Sequence, residues 1–275
     1  MKINYSDVVL FWQNDLPNNS VELDNKLDSF RVLFAYNSNR IENENITYHD
    51  TREIFENGKL VNYTGDTRTI FEIENQKNCY EWLLDKIISK EPISNQLIQE
   101  MHYKLTHGTF DERRYMLGER PGEFKKHDYV TGKNEVGTSP EFVADDLHSL
   151  LRDIKSVEKE PKYNALTVAA YLHASFEYIH PFADGNGRVG RTLMNYYLIT
   201  HDHPPLIVYD EDKKAYYSAL EKYDLNEELS DLISFLKDET VKTWSAACQK
   251  RHNTRNVNAI LDDNTTIIYN DNGRK

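Results

Sequence analysis

The feature that most constrains this chain is a loop of twelve residues, His180-Pro181-Phe182-Ala183-Asp184-Gly185-Asn186-Gly187-Arg188-Val189-Gly190-Arg191, set between two apolar runs. Before it, Asn164 to Ile179 is rich in small and apolar residues, with Leu166, Ala169, Ala170, Leu172, His173 and Phe176 placed as in a buried helix. After it, Val189 to Thr200 is helical again. Pro181 cannot extend the preceding helix, so the backbone must turn just past His180. Gly185 and Gly187 permit positive φ and a close approach of other atoms to the backbone. The pattern predicts a mainly α fold with these two helices at its centre.

The rest of the chain supplies further helices. Leu23, Leu27, Phe30, Phe34 and Ile41 form one apolar stripe in a helical segment over Asn14–Ile46. Thr47 to Thr67 loses that pattern, with a turn at Asn62–Asp66. A helix is expected over Arg68–Ser89, and another opens after Pro92 and Ser94 and ends at Gly108. Further helices are expected over Phe142–Ser156, Glu211–Tyr223 and Leu229–Gln249. The one β-structure expected in the main body is a short exposed hairpin, from Gly122-Glu123-Phe124-Lys125-Lys126-His127-Asp128-Tyr129-Val130 into the turn Thr131-Gly132-Lys133-Asn134. Beyond Asn253 the tail is polar, with a β-prone run Thr265–Tyr269.

The loop has the parts of a nucleoside triphosphate site. Consecutive amides leading into a helix N-terminus cradle phosphate oxygens, and Asn186 adds an amide donor. Arg188 and Arg191, three apart, project to one side. Asp184 is the loop's carboxylate, suited to Mg2+ beside phosphates. His180 has the pKa range for a general base near neutrality. A glycine-rich connection with two solvated arginines would explain each feature singly, but not all of them in one unbroken stretch. No GxxxxGK[ST] sequence occurs, so a P-loop does not hold the phosphates.

Charge narrows the partners. The net charge of −12 disfavours general binding to nucleic acid or to anionic membranes. The loop arginines then form a local positive spot on an acidic body. Cys79 and Cys248, the only two cysteines, offer no disulfide framework and no zinc spacing. With no signal-peptide pattern and no apolar run of about 20 residues, the expected location is cytoplasmic.

The loop resembles the signature of the Fic family (Fido fold), HPFx[DE]GNGRxxR, at every specified position, and the likeness extends from about Ser94 to Leu236. The resemblance implies a protein adenylyltransferase with ATP as substrate and Mg2+ as cofactor, which moves AMP onto a Ser, Thr or Tyr hydroxyl of a target protein. His180 would be the base and Asp184 the Mg2+ ligand. Gly185, Asn186 and Gly187 would hold the α-phosphate, Arg188 the β-phosphate and Arg191 the γ-phosphate. Tyr216 and Tyr217 match aromatic positions beside adenine, although ordinary helix packing explains them equally well. The hairpin corresponds to the family's flap, where Phe124, Lys125, Tyr129 and Val130 would pair with the target's backbone. Here the flap opens Gly122-Glu123-Phe124-Lys125 where many relatives have Gly-x-Tyr/Phe-Arg. The implied architecture is the Fic/Fido helical fold with a short β-hairpin flap: an N-terminal helical lobe over 1–92, the catalytic domain over 93–238, and a C-terminal helix end and tail over 239–275.

Ser38 and Glu42, four apart, share a helix face. Within Ser38-Asn39-Arg40-Ile41-Glu42-Asn43 they also fit [ST]xxxE[GN], the family's inhibitory-helix pattern. This implies that Glu42 takes Arg191 from the γ-phosphate. Self-modification is a further outcome, and an interface between copies of the chain could add a layer of inhibition. Removal of AMP from a target is the nearest alternative reaction. Phosphate transfer, as in Doc-type toxins, is disfavoured because those carry lysine where Gly187 stands. A non-catalytic nucleotide-binding module would leave the base unused. The pairs His49-Asp50, His127-Asp128 and His201-Asp202 are too scattered for a metal phosphohydrolase.

Overall fold

Short polar side chains that accept a backbone N–H open most of the helices. In the computed structural model, which describes residues 3–60, 63–130 and 137–271 (side chains to residue 250), the α-helices are α1 (Tyr5–Gln13), α2 (Ser20–Lys26), α3 (Asp28–Glu42), α4 (Tyr48–Asn57), α5 (Thr67–Ile88), α6 (Asn95–Thr106), α7 (Glu112–Met116), α8 (Val143–Val157), α9 (Ala165–Ile179), α10 (Asn186–Thr200), α11 (Lys213–Asn226) and α12 (Ser230–Asp271). Asn4, Asn19, Thr47, Asp66, Ser94, Asp111 and Asn164 each accept from an amide in the first turn of the following helix, a contact worth about 1 kcal/mol apiece. The fold is mainly α, and no β-strand occurs among the described residues.

The main apolar core runs from Ile3 in front of α1 to Cys248 on α12, and a second, smaller cluster gathers Val32, Ala35, Ile46, Ile54, Phe55 and Ile73 from α3, α4 and α5 and the α3–α4 connection. At the centre of the main core α9 packs on α10. All residues of α10 except Gly187 are buried, including Arg188 and Arg191, so this helix presents no solvent face. Around it lie amphipathic helices with one buried stripe each. On α8 the stripe is Val143, Leu147, Leu150, Leu151 and Ile154, at the spacing of one helix face.

Several sequence expectations need correction. The segment expected to be helical over Asn14–Ile46 is two helices broken at Leu27, although Leu23, Leu27, Phe30, Phe34 and Ile41 are all buried as the stripe requires. Helices α1 and α4 form where none was expected, both opened by capping side chains, Asn4 and Thr47. The tail expected beyond Asn253 is a continuation of α12 to Asp271, through the run Thr265–Tyr269. Nothing between Ser230 and Asp271 is proline or glycine, so no residue there breaks the helix.

The expected hairpin is not present over Phe124–Val130. That stretch winds around one buried carboxylate instead. Glu119 accepts from the Lys126 amide at 3.0 Å and the Tyr129 hydroxyl at 2.8 Å, and lies 3.0 Å from His127 Nδ1. These contacts compete with strand pairing and hold the segment as a loop. The expected turn Thr131–Asn134 lies outside the described residues, as does Asn62 of the turn expected at Asn62–Asp66.

Candidate active site at the start of the central helix

The loop between α9 and α10 begins with a strained residue. His180 closes α9 at φ 51°, ψ 63°, a left-handed conformation uncommon for a residue with a side chain and for one preceding proline. Backbone pairs on both sides hold it there. The Lys125 amide donates to Pro181 O at 2.9 Å, and the Thr138 amide donates to Ile179 O at 3.0 Å. Burial, then the neighbouring Lys125 charge, push the His180 pKa down to about 4, against the raising influence of the Glu177 carbonyl, Glu42 and Asp184. The imidazole is therefore neutral at pH 7 and able to accept a proton.

Below His180 the loop is braced internally. Phe182 is buried and stacks on His102, with ring centroids 3.7 Å apart and planes within 3°. His102 Nδ1 accepts from the Gly122 amide at 2.8 Å, so Nε2 carries the proton and donates to Asp184 O at 3.0 Å. Burial pushes the His102 pKa down to about 3, which keeps this tautomer neutral. Asn186 turns its amide back on the loop: Oδ1 accepts from the Phe182 amide at 2.9 Å and Nδ2 donates to Phe182 O at 2.7 Å. These two bonds shape the turn and use one of the two N–H donors of the Asn186 carboxamide.

Gly185, at φ 82°, precedes α10 and provides no side-chain cap. The first amides of α10 therefore lack the side-chain partner that opens most other helices here, an arrangement that favours an anion. Arg188 and Arg191 stand behind them, 2% and 1% exposed. Arg188 Nε and Nη1 and Arg191 Nη1 make no hydrogen bond among the described residues, although Arg188 Nη1 lies 3.5 Å from Glu72 Oε1. Buried guanidinium donors of this kind are costly unless an anionic oxygen meets them.

Asp184 is surrounded by guanidinium groups. Arg68 Nη2 lies 3.1 Å and Arg114 Nη2 3.4 Å from its Oδ2, and Arg188 Nη2 lies 3.7 Å from its Oδ1. Burial works to raise the Asp184 pKa, but Arg188, Arg114, Arg68 and the Gly185 amide outweigh it and hold the carboxyl below its ordinary range. No group of three His, Cys, Asp or Glu side chains able to hold a metal occurs among the described residues. A single carboxylate does fit Mg2+ that takes its remaining ligands from phosphates and water.

The N-terminal helices reach into the same place. Arg191 donates from Nη2 to Glu42 Oε1 at 2.7 Å and to Ser38 O at 2.8 Å, and from Nε to Ser38 Oγ at 3.1 Å. The side chains at 38 and 42 thus share one helix face and one partner. The Glu42 carboxylate lies directly over Gly187, where any Cβ would collide with it. Burial works against the Arg191 charge, but Glu42, with Tyr216, Tyr217 and Glu177, holds the guanidinium pKa above its ordinary value.

The other expected residues separate. Tyr217 is 45% exposed beside Glu42 and Arg191, whereas Tyr216 is fully buried with its hydroxyl 2.8 Å from His173 Nε2. Tyr216 therefore packs the interior in this conformation and lines no opening. Of the flap residues, Phe124 packs on Phe182, Lys125 is buried beside His180 and Tyr129 is held by Glu119, which leaves Val130 well exposed. Sequence reasoning missed Arg68, Glu72, His102, Arg114 and Glu119. Only His102 carried a signal, as a polar, titratable residue on the apolar face of Ile98, Met101 and Leu105.

Uncapped helix amides backed by two buried arginines, with a neutral imidazole four residues ahead of Asp184, form an arrangement chemically suited to a phosphorylated ligand on a helical scaffold. Residues 92–198 match the model of the Fic/DOC family. The protein adenylyltransferase Fic of Drosophila persimilis is 28% identical over 212 residues, covering 76% of this chain and 39% of that protein. Its counterpart from Drosophila mojavensis is 28% identical over 216 residues, with the same coverage. The chain thus spans about two fifths of the length of these curated relatives. Among solved structures, a Fic domain containing signaling protein from Bacteroides thetaiotaomicron aligns with a TM-score of 0.76 at 23% identity, covering 90% of this chain and 96% of that one. Fic-1 from C. elegans, residues 134–508, aligns with a TM-score of 0.70 at 22% identity, covering 92% and 71%. These two structures share the fold. No helix among the described residues is long and apolar enough to cross a membrane.

Proposed function

We propose that this chain is a protein adenylyltransferase that transfers the AMP part of ATP to a Ser, Thr or Tyr hydroxyl of a target protein, with residues 93–238 as its catalytic domain. The reading rests chiefly on one observation: a neutral imidazole, held in strained backbone at the end of α9, stands in the same loop as the uncapped start of α10. The family match over 92–198 and the likeness to protein adenylyltransferases support the same reading.

In this reaction the target hydroxyl oxygen forms a bond to the α-phosphorus as the bond to the pyrophosphate oxygen breaks. His180 takes the hydroxyl proton, and pyrophosphate departs with the electron pair. The amides of Gly185, Asn186 and Gly187 hold the α-phosphate, and Arg188 and Arg191 hold the phosphates that leave. Mg2+, held by Asp184 and the phosphates, would neutralise charge on the departing pyrophosphate. Tyr217 lies toward the nucleoside.

Glu42 restrains the enzyme by occupying Arg191, so that ATP binds without its γ-phosphate anchored and with its α-phosphate out of line. A misplacement of about 1 Å can lower a rate roughly 10²-fold. Mass spectrometry of full-length Glu42→Gly protein after incubation with ATP and Mg2+ tests the reading. It should gain the mass of one AMP, and the Glu42→Gly, His180→Ala double variant should gain nothing. No added mass on itself or on any protein of a cell extract would overturn the assignment.

A further inference from the structure

Asp184 is the one carboxylate of the loop, and cations of the protein's own already hold it. Two of its three guanidinium partners come from outside the loop, Arg68 from the first turn of α5 and Arg114 from α7. Both meet the same oxygen, Oδ2, while Arg188 faces Oδ1.

Each outside arginine also has a second carboxylate on or beside its own helix. Arg68 Nε sits 3.0 Å from Glu72 Oε1, one turn along α5. Arg114 Nη1 sits 2.7 Å from Asp111 Oδ2, at the cap of α7. Either guanidinium can therefore release Asp184 and remain paired. Arg68, with a side chain 36% exposed, also has room to move, unlike buried Arg188. Around Asp184 stand three arginines (68, 114 and 188), paired with three carboxylates (184, 72 and 111), a formal balance of zero. A bare divalent cation approaching Oδ2 meets an already occupied ligand flanked by two guanidinium charges.

We propose that Arg68, seconded by Arg114, is a guanidinium latch on the cation site: it covers Asp184 Oδ2 in the resting protein and withdraws to Glu72 when a divalent cation enters with its phosphates. The latch rests on the nucleotide-transfer reading above and extends it, since the N-terminal helices then restrain the site at two points. Glu42 covers the phosphate-facing arginine, and Arg68 covers the metal-facing carboxylate. The two are tied together, because Asn43, next to Glu42, donates to Glu72 Oε2 at 2.7 Å.

Mn2+ binding to the full-length protein without nucleotide, read by electron paramagnetic resonance of the free ion, tests this directly. Arg68→Gln should tighten Mn2+ binding by about tenfold, the scale expected when one half-screened charge leaves a site. The gain should vanish in Arg68→Gln, Asp184→Asn. Equal affinities for wild type and Arg68→Gln, or a gain that survives Asp184→Asn, would overturn the latch. Arg114→Gln is measured in parallel, because losing Arg68 removes a partner of buried Glu72 and can impair folding. If Arg68→Gln does not fold, Arg114→Gln decides: a severalfold gain supports the latch and no gain overturns it. AMP transfer by Glu42→Gly is assayed separately, so its failure would remove the proposed reaction and leave the metal measurement standing.

Discussion

Replacing Glu42 by glycine takes one carboxylate from a guanidinium that is almost fully buried, and the two consequences have opposite sign. Arg191 keeps its two contacts with Ser38 and loses the shortest of its three, the 2.7 Å bond to Glu42. Two unit charges about 4 Å apart attract by about 4 kcal/mol at an effective dielectric of about 20. The Glu42 side chain is 35% exposed, so solvent screening reduces the pair to about 1–2 kcal/mol. Ligand-free Glu42→Gly protein should therefore lose that much stability and melt roughly 2–8 °C lower, given about 2–4 °C per kcal/mol for a chain of this size. Bound nucleotide should gain what the apo protein loses, because Arg191 is then free for a phosphate. The same 1–2 kcal/mol corresponds to about 5- to 30-fold tighter binding. The assays are thermal melting with and without ligand, and calorimetric titration with an ATP analogue whose α–β bond cannot be cleaved. ATP should raise the melting temperature of the variant more than that of wild type. Glu42→Gln, which keeps a hydrogen-bonding group without the charge, should fall between the two. If Glu42→Gly melts with wild type and binds the analogue no more tightly, the competition for Arg191 is refuted.

Two further predictions concern the interior of the site. Glu177 on α9 has a carboxylate oxygen sealed from solvent with no hydrogen-bond partner, and burial pushes its pKa from 4.5 up to about 8, against the pull of Arg191. The folded protein then holds a proton that the unfolded chain releases above about 4.5, so this residue's contribution to stability falls as pH rises from about 4.5 to 8. Glu177→Gln should remove that slope and gain roughly 2–4 kcal/mol over wild type at pH 8.5 in urea denaturation, and parallel pH profiles for the two proteins would show the reasoning wrong. Asn186→Ala should leave the buried amide and carbonyl of Phe182 unpaired, costing about 2–4 kcal/mol. It should lower the melting temperature and the affinity for the ATP analogue together, and loss of affinity at unchanged stability would mean that Asn186 acts on the ligand directly.

Features carried by neighbouring residues were legible in the sequence. The loop from His180 to Arg191 is contiguous, and its proline and glycines act on the backbone wherever they stand, so its turn and the following helix could be read from residue type. Ser38 and Glu42 lie four apart on one helix, and their common face follows from helical geometry. The stripe at Leu23, Leu27, Phe30, Phe34 and Ile41 was equally plain, but the break at Leu27 was not, because both helices contribute to one buried face and the apolar pattern runs across the junction. The first arm of the expected hairpin, Phe124–Val130, is a loop for a related reason. An alternating run near a turn is compatible with a strand, but Glu119 offers three nearby donors a buried acceptor, and that local network held the segment as a loop.

Only the tertiary structure decided which charges meet. Arg68 and Glu72 look like an ordinary solvated pair four apart, and Arg114 like one of several arginines on a surface turn. Folding brings Arg68 across 116 positions of sequence to Asp184, and Glu42 across 149 to Arg191. The strength of such contacts depends on burial, which is a property of the packed whole. Residue types and their spacing determined that this chain would build a glycine-bearing turn between two helices. The packing of the N-terminal helices and of α7 against that turn determined that a carboxylate covers its arginine and that arginines cover its carboxylate. Charges far apart in sequence act strongly on one another only after the fold has removed the water between them.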